Sequence, residues 1–253
     1  MGAKEGFAKL IGNHVKVINI SSYLGSSPEL CIAASHPELG QGSQNARAQL
    51  ASEASDMESF LTKFIAAGYD FVICNSAGNF NNTTMLKADI HYYPYGIREV
   101  TTTDNLSSIG PDQKIKGADA LYNSVFTGIT DSNIKDRIIV VGNMTKNGTL
   151  ASDSCIGTRV DVVAPGTTIL STVPTSYNST GYDYMSGTSM ASPHVAGIIA
   201  LMYQINPDLR GSNIKRYLIN SATLAPITSG IYSYPIPDAS NCVDTAKSVY
   251  LNC

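Results

Sequence analysis

Four short runs rich in valine and isoleucine recur along this chain, separated by segments with the composition of helices. Each run is apolar at successive positions, which is typical of strands that are buried on both faces. Strands of this kind, alternating with helices, form a parallel sheet with helices packed on both sides. We therefore predict an α/β fold with a mostly parallel central sheet flanked by helices, whose strands include residues 15–20, 71–74, 137–141 and 160–163.

The clearest helix is predicted over residues 44–67, which are rich in alanine, leucine, glutamate and lysine. Apolar residues recur there at helical spacing, and Gly68 marks the end of the segment. We interpret it as a helix that crosses between two parallel strands. The chain is long enough for one large core, so we predict a single domain. Turn-rich stretches near residues 26–43 and 80–136 are interpreted as insertions in it.

Charge and cysteine content exclude several classes of function. A net charge of −3 provides no basic surface, so neither nucleic acid nor an anionic membrane is an expected partner. The sequence has no apolar run of about 18 residues and no signal-like stretch in residues 1–16, so we expect no membrane span. Five cysteines without C-x-x-C spacing argue against a zinc site. Cys242 and Cys253 could pair, or most of the cysteines are ordinary buried or free thiols.

The segment SMASPHVAGIIALMYQI, which starts at Ser189, is hydrophobic on nearly every side and predicts a central, buried helix. Gly187 allows a tight turn just before it. A serine at a helix N-terminus lies beside unpaired N–H groups, which can stabilise a developing oxyanion. The alternative is that Thr188 or Ser189 merely caps the helix.

The string GTSMASPHVAG, which begins at Gly187, matches the active-site serine motif of the subtilisin-like serine proteases (subtilases, peptidase S8) residue for residue. The resemblance extends over almost the whole chain. Other segments that resemble the family are VINISSYLGS at 17–26, NSAGN at 75–79, DVVAPGTTILST at 161–172 and NCVDTAKSV at 241–249. It implies a subtilisin-like fold that lacks the N-terminal strands, and hydrolysis of peptide bonds through an acyl-enzyme.

The resemblance assigns roles to particular residues. Ser189 would be the nucleophile, and Asn79 would donate to the oxyanion together with the backbone N–H of Ser189. Without the resemblance, Asn79 would be read as an ordinary turn residue. The pocket for the residue before the scissile bond would have two walls, each with small residues: Ser22, Leu24 and Gly25 on one side, and Ser76, Ala77 and Gly78 on the other. The family's SLG is SSYLG here, which changes the register at Ser22 and Tyr23.

The proton-handling half of the catalytic site is missing from the sequence. A serine hydroxyl needs an imidazole to take its proton, and the imidazole needs a carboxylate to orient it. In subtilases these come from D-[ST]-G and H-G-T strings, and neither string occurs here. We interpret His194 as a packed structural residue, His14 as lying at the N-terminal end of the sheet, and His36 and His91 as surface residues in the insertions. The chain alone is therefore predicted to be nearly inactive.

Two hypotheses follow. In the first, the chain is part of an active subtilase, and an N-terminal segment or a partner chain supplies the aspartate and the histidine and covers the apolar edge at residues 15–20. In the second, it is an inactive pseudoprotease that acts as a binding or scaffold protein. Calcium binding and secretion are implied by the resemblance alone, and no metal ligand is assigned.

Overall fold

The computed structural model describes residues 3–22, 41–79, 84–86, 114–116 and 125–251. In chain order, the strands are β1 (Val17–Ile20), β2 (Val72–Ser76), β3 (Thr84–Leu86), β4 (Lys114–Lys116), β5 (Ile138–Met144), β6 (Val162–Pro165), β7 (Ile169–Thr172), β8 (Tyr182–Met185), β9 (Ile227–Ser229) and β10 (Tyr232–Tyr234). The α-helices are α1 (Ala3–Gly12), α2 (Gln41–Ala66), α3 (Ser132–Lys135), α4 (Thr188–Ile205), α5 (Gly211–Asn220) and α6 (Ala239–Leu251).

The central sheet is parallel and has the strand order β1-β2-β5-β6, so its strands lie side by side in chain order. Register pairs Asn19 with Cys74 and Cys74 with Ile139. Because all four strands run the same way, their carboxyl ends meet at one edge of the sheet. The pairs β7–β8, β3–β4 and β9–β10 are separate antiparallel ribbons.

Helices cover both faces of this sheet, which confirms the predicted α/β fold. Alternate residues of β2 and β5 belong to two different hydrophobic clusters, as the two-residue period of a strand requires. One cluster joins Ile73 and Ile138 to α1 and α2, and the other joins Val72 and Ile139 to α4, α5 and α6. Every residue of β2 is buried, because both faces of the strand are covered.

The strongest helix prediction is confirmed, with shifted bounds. The segment predicted over 44–67 is α2, which runs from Gln41 to Ala66 and is followed by Gly68 with a φ of 85°. A positive φ is readily adopted by glycine, so Gly68 ends the helix as its position indicated. The two predicted insertions lie mostly outside the described residues.

The prediction that α4 is a central, buried helix holds for one side of the helix only, within the described part of the chain. Its residues Ala191, Val195 and Ile199 pack on the sheet, but the opposite face is exposed and includes Leu201, 47% exposed. His194 lies on this exposed face and is not packed in the core. The burial expected from hydrophobicity fails because no described element packs against the outer side of α4.

Three of the cysteines lie in the core as free thiols: Cys74, Cys155 and Cys242. Cys242 donates a hydrogen bond to Ser221 Oγ over 3.0 Å and is not part of a disulfide, because α6 turns its side chain into the core. Cys31 and Cys253 lie outside the described residues, so the pairing suggested for Cys242 is not supported. Burial raises the pKa of both the Cys74 and Cys242 thiols, which favours the unreactive protonated form.

Candidate active site

The first residue before α4 makes a close approach that only glycine permits. Gly187 has a φ of 147°, and a Cβ built there would lie 2.8 Å from Asn79 Nδ2. The Gly187 backbone therefore passes directly beside the Asn79 side chain. This contact links the carboxyl end of β2 to the start of α4.

Asn79 is held in one orientation by Thr188. Its Oδ1 accepts a hydrogen bond from the Thr188 N–H over 2.8 Å and another from Thr188 Oγ1 over 2.9 Å. Thr188 Oγ1 in turn accepts from the Gly78 N–H over 3.0 Å. Because a backbone N–H can only donate, these bonds identify Oδ1 as the inward atom and leave the Asn79 NH₂ group on the Gly187 side.

The N–H groups in the first turn of α4 can be counted one by one. The Thr188 N–H donates to Asn79, and those of Met190 and Ala191 donate to the Gly187 carbonyl over 3.0 and 3.3 Å. The Ser189 N–H has no acceptor in the described part of the chain. Two donors therefore remain free near Ser189: its own N–H and the NH₂ of Asn79.

The hydroxyl of Ser189 faces the end of β1. Its Oγ donates to the Ser21 carbonyl over 3.2 Å, while Ser21 Oγ donates to the Ser189 carbonyl over 2.7 Å. Neither of the described histidines contacts Ser189 Oγ. His194 Nδ1 forms a hydrogen bond with the Met190 carbonyl at 2.8 Å. The His14 ring is tilted against Tyr69 just before β1, at the opposite end of the sheet. His36 and His91 lie outside the described residues.

A small cavity adjoins Ser189. It has a volume of about 320 Å³ and lies between α4 and β7. Its lining is mainly apolar and consists of Ile169, Leu170, Ser171, Ser189, Met190, Pro193 and His194. Space is therefore available beside the serine for a group of another molecule or segment.

The six residues predicted to line the substrate pocket are only partly described. Ser22 is exposed, and its carbonyl accepts from Asn75 Nδ2 over 2.8 Å, while Leu24 and Gly25 lie outside the described residues. On the second wall, Ser76 and Ala77 are buried, and Gly78 has its N–H on Thr188. Ser22 and the 76–78 segment end neighbouring strands and are tied together by Asn75. Gly78 is buried as well, and its N–H and carbonyl are bonded to Thr188 Oγ1 and to the Cys155 N–H.

Sequence reasoning missed a group of polar residues that connects β1 to α4. Asn19 Oδ1 accepts from Ser192 Oγ over 2.7 Å, and Asn19 Nδ2 donates to Ser21 Oγ over 3.0 Å. Ser21 then bonds to Ser189 as described above. The only signal in the sequence is a polar residue inside an otherwise apolar strand, which is too weak to identify such a contact.

Within the described residues there is no cluster of three or more histidine, cysteine, aspartate or glutamate side chains that could hold a metal ion. Among the helices of that same part of the chain, none has both the length and the apolar character of a membrane span.

Comparison with known proteins gives consistent similarities. A model of the subtilase family (peptidase S8) matches residues 3–243. Subtilisin DY from Bacillus licheniformis is 35% identical over 156 residues, a match covering 62% of this chain and 50% of that protein. Subtilisin-like protease 1 from Plasmodium falciparum is 33% identical over 148 residues, covering 54% of this chain and 21% of that protein.

The solved structure of a cold-adapted subtilisin-like serine proteinase superposes with a TM-score of 0.54 at 21% sequence identity. The superposition covers 93% of this chain and 61% of that one. The match to subtilisin DY, in comparison, spans half of that protein's length.

Proposed function

Because the chain belongs to the subtilase family of serine proteases, we propose that it is the nucleophile-bearing part of a serine endopeptidase. Ser189 is the nucleophile and Asn79 is the side-chain donor of the oxyanion hole. The substrate is a protein or peptide. The aspartate and the histidine come from a segment or partner outside these 253 residues, which also covers the free edge of β1.

One observation carries this proposal: the arrangement of donors around Ser189. Thr188 holds the Asn79 amide by its oxygen, so its NH₂ group is free, and the Ser189 N–H is the one first-turn donor without a described acceptor. Two neutral donors at a helix N-terminus beside a serine can stabilise the negative oxygen of a tetrahedral intermediate. If Thr188 or Ser189 only capped the helix, a second free donor from the segment after β2 would not be needed.

The reaction follows from these positions. An imidazole from outside the chain takes the proton of Ser189 Oγ as that oxygen attacks the peptide carbonyl carbon. The carbonyl oxygen becomes negative and accepts from Asn79 Nδ2 and the Ser189 N–H. The imidazolium then gives its proton to the leaving amine, and water hydrolyses the acyl-enzyme by the same steps. In this family, loss of the histidine lowers turnover about 10⁶-fold, so the isolated chain is nearly inactive.

The test is labelling with a fluorophosphonate probe, which reacts with activated serines. The chain alone is expected to label very slowly, and the chain joined to the segment that carries the histidine is expected to label at Ser189 and to hydrolyse peptides. Ser189→Ala is the control and should abolish both. Failure of the joined form to label would rule the proposal out.

A second candidate function, that of an inactive binding or scaffold protein, is favoured by the contacts of the hydroxyl. Ser189 Oγ donates to the Ser21 carbonyl, and a carbonyl cannot act as a general base. The open reading frame upstream of the codon for Met1 separates the two candidates. D-[ST]-G and H-G-T strings there would support the endopeptidase, and a stop codon without them would support the pseudoprotease.

Calcium binding and secretion remain expectations from the family. The pocket walls at Ser22, Leu24 and Gly25 and at Ser76, Ala77 and Gly78 are likewise part of the proposal. Small residues on both walls suit a broad pocket for apolar side chains. Cleavage of a peptide library by the joined form is the measurement that tests this preference.

A further inference from the structure

Asn143 is a fully buried polar residue near the carboxyl end of β5, a strand that is otherwise apolar. Its backbone is satisfied, because its N–H donates to Ser154 Oγ over 3.0 Å and its carbonyl accepts from the Ala151 N–H over 2.9 Å. Its side chain is satisfied only in part. Oδ1 accepts from Thr167 Oγ1 over 3.1 Å, whereas Nδ2 has no partner among the described residues. A buried donor without a partner opposes folding, so hydrogen bonding alone does not explain this amide.

The Asn143 side chain packs against Gly166, the residue that follows β6. A Cβ built on Gly166 would lie 2.5 Å from Asn143 Oδ1 and 2.9 Å from Asn143 Cγ. The Asn143 amide therefore occupies the space that a side chain at position 166 would need. The same Cβ would lie 2.6 Å from the Gly187 carbonyl oxygen. Asn143 and Gly187 thus meet on the same side of the Gly166 backbone.

Gly166 connects Asn143 to the oxyanion donor. The Gly187 N–H donates to the Gly166 carbonyl over 2.8 Å. Gly187 in turn lies against Asn79, since a Cβ built on Gly187 would be 2.8 Å from Asn79 Nδ2. Consecutive contacts therefore lead from Asn143 through Gly166 and Gly187 to the NH₂ group of Asn79. Because protein interiors are close-packed, the Asn143 side chain limits how far the two glycines can move.

We propose that Asn143 is a positioning residue for the oxyanion hole. Its side chain holds Gly166 and Gly187 in place, so that the Asn79 NH₂ group keeps its position beside Ser189. This role depends on the volume of the side chain at position 143 and not on the hydrogen bonds of its amide. The inference rests on the proposed function in that Asn79 is the oxyanion donor, and it adds a residue that acts from behind the site without touching the substrate.

Substitutions at position 143 separate volume from hydrogen bonding. Asn143→Leu keeps a branched side chain of similar size and has no amide. Asn143→Ala and Asn143→Ser are both too short to reach Gly166, and both remove the unsatisfied donor, so they should fold. Asn206→Ala is the matched control, because Asn206 is also buried and lies just after the far end of α4. Its Nδ2 donates to the Ala246 carbonyl over 3.3 Å.

Nuclear magnetic resonance of the full chain provides a measurement that needs no catalysis. A ¹H–¹⁵N correlation spectrum reports the Asn79 side-chain NH₂, which is assigned by its loss in Asn79→Asp. Hydrogen exchange reports the Gly187 N–H. Asn143→Ala and Asn143→Ser are expected to shift the Asn79 NH₂ resonances and to raise the exchange rate of the Gly187 N–H severalfold. Asn143→Leu and Asn206→Ala are expected to leave both as in the wild type.

Fluorophosphonate labelling of Ser189 measures the consequence for the site, in the chain joined to the segment that carries the histidine. Asn143→Ala is expected to slow labelling about 10-fold, because a displaced donor retains part of the effect of a well-placed one. Asn143→Leu should label at nearly the wild-type rate. A residue that only filled the core would not change the labelling rate of a protein that remains folded.

Unchanged Asn79 and Gly187 signals in Asn143→Ala and Asn143→Ser would overturn the proposal. Equal changes in Asn143→Leu and Asn143→Ala would also overturn it, because the amide and not the volume would then matter. The same shift in Asn206→Ala would do so as well, since the effect would not be specific to position 143. Shifted signals without labelling of the joined wild type would refute the proposed function alone. Labelling of the joined wild type with unchanged signals in Asn143→Ala would refute this inference alone.

Discussion

Asn79 combines an observed structural contact and a proposed catalytic contact, and the two involve different atoms of one amide. Its oxygen accepts two hydrogen bonds from Thr188, and its NH₂ group is the proposed donor to the oxyanion. Asparagine provides both an acceptor and a donor at the same position, which aspartate and alanine do not. The structural and the catalytic contributions of this residue can therefore be separated by substitution.

Replacement of Asn79 should lower the reactivity of Ser189 by two routes. In any preparation that reacts with fluorophosphonate, Asn79→Ala and Asn79→Asp should both slow labelling about 10²- to 10³-fold, because neither can donate to the oxyanion. Asn79→Ala should also lower the free energy of unfolding by about 1–3 kcal/mol, because the buried Thr188 loses its acceptor. Asn79→Asp keeps that acceptor, so its unfolding free energy should stay closer to that of the wild type. Unchanged labelling in both variants would contradict the assignment.

Substitution of Gly187 should also affect both stability and reactivity, because a side chain there would collide with Asn79. Gly187→Ala is expected to lower the unfolding free energy by about 1–3 kcal/mol through backbone strain. It should also slow labelling of Ser189, because its Cβ would displace Asn79. Gly148→Ala is the matched control, since Gly148 has a φ of 74° but open space around its Cβ. Gly148→Ala should show strain in chemical denaturation and no change in labelling.

At the scale of elements, α5 is fastened to the sheet by a buried ion pair. Lys215 Nζ lies 3.0 Å from Asp161 Oδ1 and donates to the Lys135 carbonyl over 2.7 Å. Asp161 Oδ2 also accepts from the Val140 N–H over 2.8 Å. The pair connects α5 with β5 and with the residue before β6. Burial lowers the pKa of Lys215, and the charge of Asp161 partly opposes that shift.

Removal of one partner should cost more than removal of both. Lys215→Met is expected to lower the unfolding free energy by about 3 kcal/mol, because it removes the cation that pairs with the largely buried Asp161 carboxylate. The double variant Lys215→Met, Asp161→Asn should recover part of that loss. Lys247→Met, at an exposed position on α6, is the control and should change little. Urea denaturation of wild type, Lys215→Met, Asp161→Asn and the double variant measures the coupling, and simple additivity would contradict it.

The pH dependence of stability gives an independent check on Lys215. Its folded-state pKa lies below the ordinary value of 10.5, so the unfolded chain binds more protons between the two values. The contribution of Lys215 to the unfolding free energy should therefore rise as the pH increases through that window. Lys215→Met should lack this rise, whereas Lys247→Met should retain it. Parallel pH profiles for wild type and Lys215→Met would contradict the pKa direction.

Apolar runs and turn residues predicted the elements of the core well, and the contacts between them poorly. All four predicted strands are found, because a strand buried on both faces is apolar at each position whatever its neighbours are. The motifs predicted that Ser189 and Asn79 belong to one site, and the structure places both at the start of α4. The bonds of Ser21, Asn19 and Ser192 could not, because they depend on how β1 and α4 lie in space. The burial of the outer side of α4 was predicted wrongly. Hydrophobicity shows that a helix favours burial, but it does not show which element covers it.

At the scale of the whole molecule, β1 is an edge of the parallel sheet within the described residues. The Lys16 carbonyl accepts a hydrogen bond from the Val72 N–H. Because alternate residues of a parallel strand bond to the same neighbour, the N–H and C=O groups of Ile18 and Ile20 also point toward β2. The N–H groups of Val17 and Asn19 point the other way, to the unpaired side. An apolar edge with free donors readily pairs with another strand.

The isolated chain is therefore expected to self-associate through β1 until another segment covers that edge. Val17→Pro removes an outward N–H and is tolerated on an edge strand, so it should suppress association with little loss of fold. Ile18→Pro removes an N–H that is bonded to β2 and is the matched control, expected to unfold the protein. Sedimentation velocity over a range of concentrations measures association, and circular dichroism measures folding. Equal self-association of wild type and folded Val17→Pro would show that the chain associates through another surface, since the backbone donors of β1 would then make no contribution.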